Sequence, residues 1–456
     1  MKTLIIAASL VLLGGSLGVA ALFASSVPSF APAKGYPTGR APISVAIGDL
    51  NSDGKPDLAT ANFDVGVNSV SVLLNRGDGS FQPKRGYRTG RRPSSVAIGD
   101  LNGDGKPDLA TTNNAAGVNT VSVLLNRGDG SFQAKVDYRT GSSPLSVAIG
   151  DLNGDGKPDL ATANSEASTV SVLLNRGDGS FQAKADYRTG GAPESVVIGD
   201  LNGDGKPDLV TANGVPHVAV LLNRGDGSFR AKRNYGTEGL SFSVAMGDVN
   251  GDGKPDLATA NSEASTVSVF LNRGNGSFRA KQDYRTGDGS YSIEIGDLNG
   301  DGKPDLVSAN GDANISVLAN RGGGSFQAKL EYRTGGGGAS DSIEIGDLNG
   351  DGKPDLVSAN VTSNTVSVLI NRPGLCTVQN VERGFLRERN VVVQAQTVPA
   401  AKRTIARANC RVGKIRRAYS KNVKKGRVIS QKPEPGTVLP SRGKVSLVVS
   451  RGRRPS

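Results

Sequence analysis

One phrase dominates this sequence and limits what it can fold into. It begins at Asp49 as DLNSDGKPD and returns at Asp100, Asp151, Asp200, Asp248, Asp297 and Asp347 as DLNGDGKPD or DVNGDGKPD, at steps of 51, 51, 49, 48, 49 and 50 residues. A unit of this length cannot bury its own apolar face and must stack on its neighbours. Its punctuation is of the β type. In the second unit, residues 95–98 read as a first strand, and the acidic loop from Asp100 to Asp108 follows. Residues 109–112 and 120–125 form the second and third strands, Gly128-Asp129-Gly130 makes a tight hairpin, and a fourth strand runs from Phe132 towards Tyr138. The 62 glycines, without a triplet period, suit many tight turns rather than long helices. Seven such meanders predict a mainly β fold, a seven-bladed β-propeller.

The two ends of the repeat region predict how the ring closes. The seventh unit stops at Asn371-Arg372-Pro373 without a fourth strand, while FAPAKGYPTG from Phe30 matches the fourth-strand phrase FQPKRGYRTG from Phe81. The N-terminal strand is therefore expected to complete the last blade and cover its open edge. The repeat region spans 30–372. Before it, residues 1–24 carry Lys2 and then an uncharged, mostly apolar run ending in small residues such as Ala21 and Ala24. This reads as a signal peptide, with an uncleaved membrane anchor as the alternative. A retained helix would leave only about five residues before the docked strand, which favours cleavage.

Charge divides the chain. Residues 376–456 hold 20 Lys/Arg and three Asp/Glu, a balance of +17, whereas the remainder is mildly acidic at −5. Both cysteines, Cys376 and Cys410, lie in the basic tail.

In D-x-N-x-D-G-x-x-D, side-chain oxygens recur at positions 1, 3, 5 and 9, with the position-7 carbonyl between them. Gly at position 6 permits the turn that gathers them, and an all-oxygen set of this kind suits Ca²⁺ better than Mg²⁺. The candidate ligands are Asp49, Asn51, Asp53, the Lys55 carbonyl and Asp57 in the first loop, and Asp100, Asn102, Asp104, Lys106 and Asp108 in the second. The third has Asp151, Asn153, Asp155, Lys157 and Asp159, and the fourth Asp200, Asn202, Asp204, Lys206 and Asp208. The fifth has Asp248, Asn250, Asp252, Lys254 and Asp256, and the sixth Asp297, Asn299, Asp301, Lys303 and Asp305. The seventh has Asp347, Asn349, Asp351, Lys353 and Asp355. Three carboxylates this close repel unless a cation lies among them. Position 12 is Thr60 in the first loop, and the flanks alternate like strands, so the loop departs from an EF-hand. About seven calcium ions, one per blade, are expected as elements of the fold.

With S-V-A-I-G-D leading into each acidic loop, residues 30–372 resemble the FG-GAP/VCBS repeats of integrin-type propellers. The resemblance implies calcium loops on one face of the propeller and ligand recognition mostly on the other. The tail resembles a PASTA domain over 376–452. The residues that carry this are CTVQNV from Cys376, AAKRTIARANC ending at Cys410, GRVISQKPEPGTVLP from Gly426 and VSLVVSRG from Val445. That resemblance implies a small α+β domain with a helix near 399–409, strands near 412–418, 427–431 and 444–450, and binding to peptidoglycan. A Cys376–Cys410 disulfide would brace so small a core. The charge independently favours an anionic wall polymer, and export argues against nucleic acid.

The acidic loops and the G-D-G-S turns should share one rim. The other rim should carry loops that diverge between units, such as those at 63–68, 165–168 and 214–217, or 91–93, 191–194 and 288–291. Divergent loops on a rigid frame are candidates for a protein or glycan ligand. Arg88, Arg139, Arg188, Arg285 and Arg333 recur in Y-R-T-G on that rim. Pairing with neighbouring acids is the reading preferred for them, and affinity for anionic glycans the alternative. His217, the only histidine, reads as an ordinary surface residue, which argues against Ser-His-Asp and His-zinc chemistry. Glu294 and Glu344 stand in first strands where other units carry Ala97 or Val197, so a pair of acids in the central channel is conceivable. The expectation is a monomeric, non-enzymatic, secreted bacterial protein of the cell surface or wall. The alternatives are a lectin, weakened by the absence of Trp, or a glycan-processing enzyme.

Overall fold

The computed structural model describes residues 28–372 except 65, 67, 337 and 338, together with 376–378, 411–419, 428–432, 437–439 and 444–451. The expected signal segment, the 399–409 helix and the Cys376–Cys410 bridge lie outside the described residues. Within them, every regular element is a strand.

Seven four-stranded antiparallel sheets follow one another along the chain. In the second blade the strands are Pro93–Gly99, Asp108–Asn113, Thr120–Leu124 and Val136–Arg139; the first three lie within two residues of the boundaries read from the sequence, while the fourth begins four residues later than Phe132, which makes only an isolated bridge to Asn126. The first strands stand side by side around the axis, and that of the seventh blade, Ser340–Gly346, packs beside that of the first, Pro42–Gly48, so the ring is closed. Second strands such as Asp57–Asn62 are buried at every position, as a strand covered on both faces must be. The core consists of layers between adjacent blades. Ala59, Val70 and Val72 of the first blade, for example, meet Val96, Leu109, Leu124 and Phe132 of the second.

The last blade is completed from the other end of the chain. Lys34–Pro37 pairs antiparallel with Thr365–Leu369, with Tyr36 opposite Val366. Phe30 bridges Asn371, and the Arg372 N–H donates to the Ser29 carbonyl at 2.7 Å. Tyr36 then buries its ring against Phe81 of the first blade, edge-on at 5.2 Å. The same Tyr–Phe contact recurs around the wheel, as Tyr87–Phe132, Tyr138–Phe181 and Tyr187–Phe229. Six Tyr hydroxyls donate to a turn glycine of the next blade, Tyr87 to the Gly130 carbonyl at 2.8 Å, while Tyr332 donates to the Pro28 carbonyl. These aromatics seal the gaps between blades.

An asparagine not singled out from the sequence makes a further link between blades. Asn126, in the LNRG phrase after the third strand, donates its amide to the Leu50 carbonyl of the preceding blade at 2.9 Å and to the Pro107 carbonyl at 2.7 Å. Its side-chain oxygen accepts from the Gly128 N–H. Asn75, Asn175, Asn223, Asn272, Asn320 and Asn371 repeat the inter-blade bond, and Asn75 reaches back to Leu348 of the seventh blade. In Asn371 the side-chain oxygen has no partner, because the residue two places on is Pro373, which has no N–H.

In the tail, Arg411–Ala418 runs parallel to Lys444–Ser450, which pairs antiparallel with Val428–Lys432 on its other side. These strands agree with the sequence reading to within a residue. A further pair, Cys376–Val378 with Thr437–Leu439, was not anticipated.

Asn126→Ala strands two buried carbonyls and should cost about 1–3 kcal/mol. Thermal unfolding should show a lower Tm, and Asn126→Asp, which sets a carboxylate beside Asp108, should lower it further.

Candidate functional site

The first strand of each blade ends where the acidic loop begins, and the second strand starts at the ninth loop residue. In the first loop the two Asp49 oxygens accept from the Asp53 N–H at 3.1 Å and the Gly54 N–H at 2.8 Å, and Asn51 Oδ1 also accepts from Asp53. Gly54 has φ +76°, which only a residue without Cβ takes up readily. Positions 1, 3 and 5 thus turn their oxygens onto the loop's own backbone. The position-7 lysine supplies a local cation, with Lys55 Nζ lying 3.1 Å from Asp53 Oδ2 and Lys106 Nζ 3.2 Å from Asp104 Oδ2. Among the described residues no three His, Cys, Asp or Glu side chains converge as a ready-made metal cluster.

The ninth-position aspartate does more than the sequence suggested. Asp57 is fully buried; its Oδ2 accepts from the Leu50 N–H at 3.0 Å and its Oδ1 from the Asn75 N–H at 2.7 Å. It therefore clasps the acidic loop to the third-strand turn, and Asp108, Asp159, Asp208, Asp256, Asp305 and Asp355 do the same in their blades. Burial, aided by the charges of Asp53 and Asp49, pushes the Asp57 carboxyl up to about 6 despite those two hydrogen bonds. The Asp305 carboxyl rises to about 7 for the same reasons, and beside it Asp301 Oδ2 is buried without a hydrogen-bond partner. Lys303 Nζ, 3.9 Å from that oxygen, relieves the charge only in part, and closely spaced carboxylates in a set made wholly of oxygen donors fit a hard divalent cation. The residues that would hold it are those at positions 1, 3, 5, 7 and 9.

The opposite ends of the blades form the second rim. Pro42 pairs with Asn62, Asn62 with Ser69 and Ser69 with Arg88, so the second-to-third loops and the links between blades lie together. The buried Asn62 fastens this end, donating to the Ser69 carbonyl at 2.8 Å and to Ser71 Oγ at 3.0 Å. Beyond these anchors most of the loops differ from blade to blade, although the third and fifth blades share Ser-Glu-Ala-Ser at 165–168 and 262–265.

The recurrent arginines do not pair with acids. Arg88, Arg139, Arg188, Arg285 and Arg333 are exposed, and none has a carboxylate within ion-pair distance among the described residues. The neighbouring acids are already engaged. Asp137 binds Lys135 and accepts from Ser122 Oγ at 2.6 Å, and Asp186 and Asp283 are held the same way by Lys184 with Ser171 and by Lys281 with Ser268.

His217 opens the third strand of the fourth blade and is half-buried, where the sequence suggested a surface loop. Burial, with the nearby Lys232 charge, holds its ring below the usual range, and Nε2 is buried without a partner. Glu294 and Glu344 do come together, at equivalent places on adjacent first strands, Ser290–Gly296 and Ser340–Gly346. Burial pushes the Glu294 carboxyl up to about 7; burial and the Glu294 charge push that of Glu344 well up.

The sheets and loops define a repeat-built, seven-bladed β-propeller with one constant, oxygen-rich rim and one variable rim. The stretches 49–111, 112–162, 151–211, 200–259, 248–308 and 297–358 match the FG-GAP-like repeat, and the protein belongs to that family. Residues 392–451 match the PASTA domain. No curated protein matches the chain significantly. Among solved structures, the chain is similar to BBS1N in its crystallised complex with ARL6DN. That similarity is at 11% identity with a TM-score of 0.54, over 76% of this chain and 97% of that one. An Agrocybe aegerita lectin, solved for its recognition of non-reducing terminal N-acetylglucosamine, shows 22% identity and a TM-score of 0.48, over 70% of this chain and 85% of that one. At its identity the BBS1N likeness speaks for the fold alone.

The Glu294–Glu344 pair yields a pH signature. A carboxyl whose proton affinity is higher in the native than in the unfolded chain contributes stability at low pH, and that contribution is lost as pH rises through its native value. Between pH 5 and pH 8 the native protein should therefore lose stability, by of the order of 1–3 kcal/mol from this pair. The Glu294→Gln/Glu344→Gln variant should flatten that slope and melt higher at pH 8 in pH-resolved thermal denaturation.

Proposed function

We propose that this is a calcium-stiffened binding protein of the bacterial cell surface, secreted and attached to the wall through its PASTA domain. FG-GAP propellers are typically binding rather than catalytic scaffolds, and an FG-GAP propeller joined to a PASTA domain fits a protein of the cell exterior. The observation that carries the reading is the division between the rims. One repeats the same oxygen-rich loop in every blade, and the other carries loops that differ while their ends are held by the same buried asparagines.

Calcium is assigned to the frame. A cation among Asp49, Asn51, Asp53, the Lys55 carbonyl and Asp57 would offset the burial and the repulsion that together raise the Asp57 carboxyl, and would stiffen a loop already clasped to the neighbouring turn. Binding to the native state alone contributes about 2.7 kcal/mol at a hundredfold excess over Kd. The tail supplies charge for the wall, since Lys414, Arg416 and Arg417 are exposed on one strand and Arg451 lies over the exposed Tyr419 ring at 5.8 Å. A lectin reading is weakened by the aromatic belt, whose rings and hydroxyls are taken up between blades.

Calorimetry should show Tm rising with calcium from micromolar to millimolar and falling with chelator, and Asp104→Asn should blunt the response. A Tm indifferent to calcium removes the metal from the account. Retention of the full chain on purified cell wall should survive moderate salt and weaken in Arg416→Ala/Arg417→Ala; complete release at modest salt would mean charge alone. On a panel of neutral and charged oligosaccharides, exchanging rim loops between blades should change which glycans bind.

A further inference from the structure

The variable rim is electrically lopsided. Over the first two blades it carries Arg40, Arg88, Arg91, Arg92 and Arg139 against one acid, Asp64, whereas its remaining links and loops set Glu166, Glu194, Glu238, Glu263, Asp288 and Asp312 against Arg188, Arg285 and Arg333, with Glu238 paired to Lys281 at 2.8 Å. Only Arg40 is paired in the basic sector, to Asp64 Oδ2 at 3.7 Å, with its side chain 77% exposed, so the pair is weak.

At the centre of the sector, the Arg92 guanidinium lies over the Phe63 ring at 4.3 Å. Both residues are fixed from behind. Phe63 N–H donates to the Ala41 carbonyl and Asn114 N–H to the Arg92 carbonyl, each at 2.9 Å. Arg92 Nε is buried and has no hydrogen-bond partner. The fold does not require an arginine here. The residue just before the first strand is Ala41 in the first blade, Ser143 in the third and Gly289 in the sixth, all with positive φ like Arg92 at 55°. The left-handed turn thus belongs to the link itself; what sets this position apart is a long cationic side chain stacked on a ring, with its buried Nε short of an acceptor.

We propose that this sector is a binding site for a carboxylate-bearing glycan, with Arg92 as its planar fork and Arg88 and Arg91 as flanking cations. The assignment rests on the reading of the variable rim as the ligand face and names its ligand class. Guanidinium groups bind carboxylates through paired N–H donors, and stacking on Phe63 pre-orients the fork. Acids outnumber arginines over the remainder of the rim, which steers a polyanion to this side. Nucleic acid fits less well, because strands bound without sequence preference lay their bases on open aromatic faces, and Phe63 is already covered by Arg92.

The test is calorimetric titration of the full chain with trigalacturonate in calcium-containing buffer. The expected result is saturable binding that falls at least tenfold in Arg91→Ala/Arg92→Ala, with Tm unchanged. Arg92→Lys, which keeps the charge and loses the fork, should also weaken binding, and the methyl-esterified trisaccharide should not bind. Arg416→Ala/Arg417→Ala controls for the basic tail and should bind like the parent. Unchanged affinity in Arg91→Ala/Arg92→Ala, loss of binding only in the tail variant, or equal competition by a single-stranded oligonucleotide of the same charge overturns the proposal. If trigalacturonate is ignored while exchange of loop 262–265 with the sixth blade's loop 311–313 alters binding on the oligosaccharide panel, the sector assignment fails and the rim reading stands. If neither change has an effect, both fail.

Discussion

The structure depends on a carboxylate buried at the mouth of each blade. Asp57 and its six counterparts have no contact with bulk water, yet each accepts two backbone N–H groups, one from the acidic loop and one from the asparagine after the third strand. A charged group buried this way is tolerated only if its hydrogen bonds are made, and removal of any partner leaves an expensive orphan. The aspartate therefore fixes where the loop ends and where the turn begins. The asparagine it holds then reaches the neighbouring blade. Order passes from one carboxylate to a loop, from the loop to a turn, and from the turn to the next sheet.

Closure follows from the same bonds. Seven copies of a unit that links only to its predecessor would leave two open edges, but Asn75 links the first blade to the seventh and Lys34–Pro37 completes the seventh sheet from the start of the chain. Six of the first strands add a second ring nearer the axis, with the Val96 N–H donating to Ser44 Oγ of the preceding blade and its counterparts doing likewise. Within this frame a cation in the acidic loops would act on stiffness, since the clasp between loop and turn is already made by protein groups.

The blades were legible because their signal is local: a period near fifty, short β runs and Asp-Gly turns each report on neighbours in the chain. The asparagine link was not, although it is equally regular. Asn126 bonds Leu50 from 76 residues away, and nothing in the LNRG phrase names a carbonyl in another blade. Asp57 was legible as an oxygen donor but not as a clasp, because the Asn75 N–H it holds comes from beyond the following strand. The arginines of Y-R-T-G misled for a different reason. Asp137 is two residues from Arg139, on the same side of the strand, but Lys135 is equally near on the other side and takes it, with Ser122 filling the remaining position. A one-dimensional reading sees a cation and an anion at pairing distance and cannot see that the anion is already spent.

Constancy at one rim is what allows variation at the other. Every link between blades but the one through Thr237-Glu238 passes a glycine of the T-G phrase, and a Cβ on Gly90 would fall 2.4 Å from the Asn113 side chain, so there asparagine and glycine fit only as a pair. Asn113 in turn holds Thr120 and Ser122, and the Gly90 N–H donates to Ser122 Oγ at 3.0 Å. The chain thus enters and leaves every variable loop through points that cannot move. What lies between them varies without disturbing either sheet, so Arg91 and Arg92 can stand where the next link has Ser142 and Ser143. Charge on this rim is therefore less bound by the demands of folding than charge in the acidic loops, where every aspartate is tied to the loop's own backbone or to the neighbouring turn.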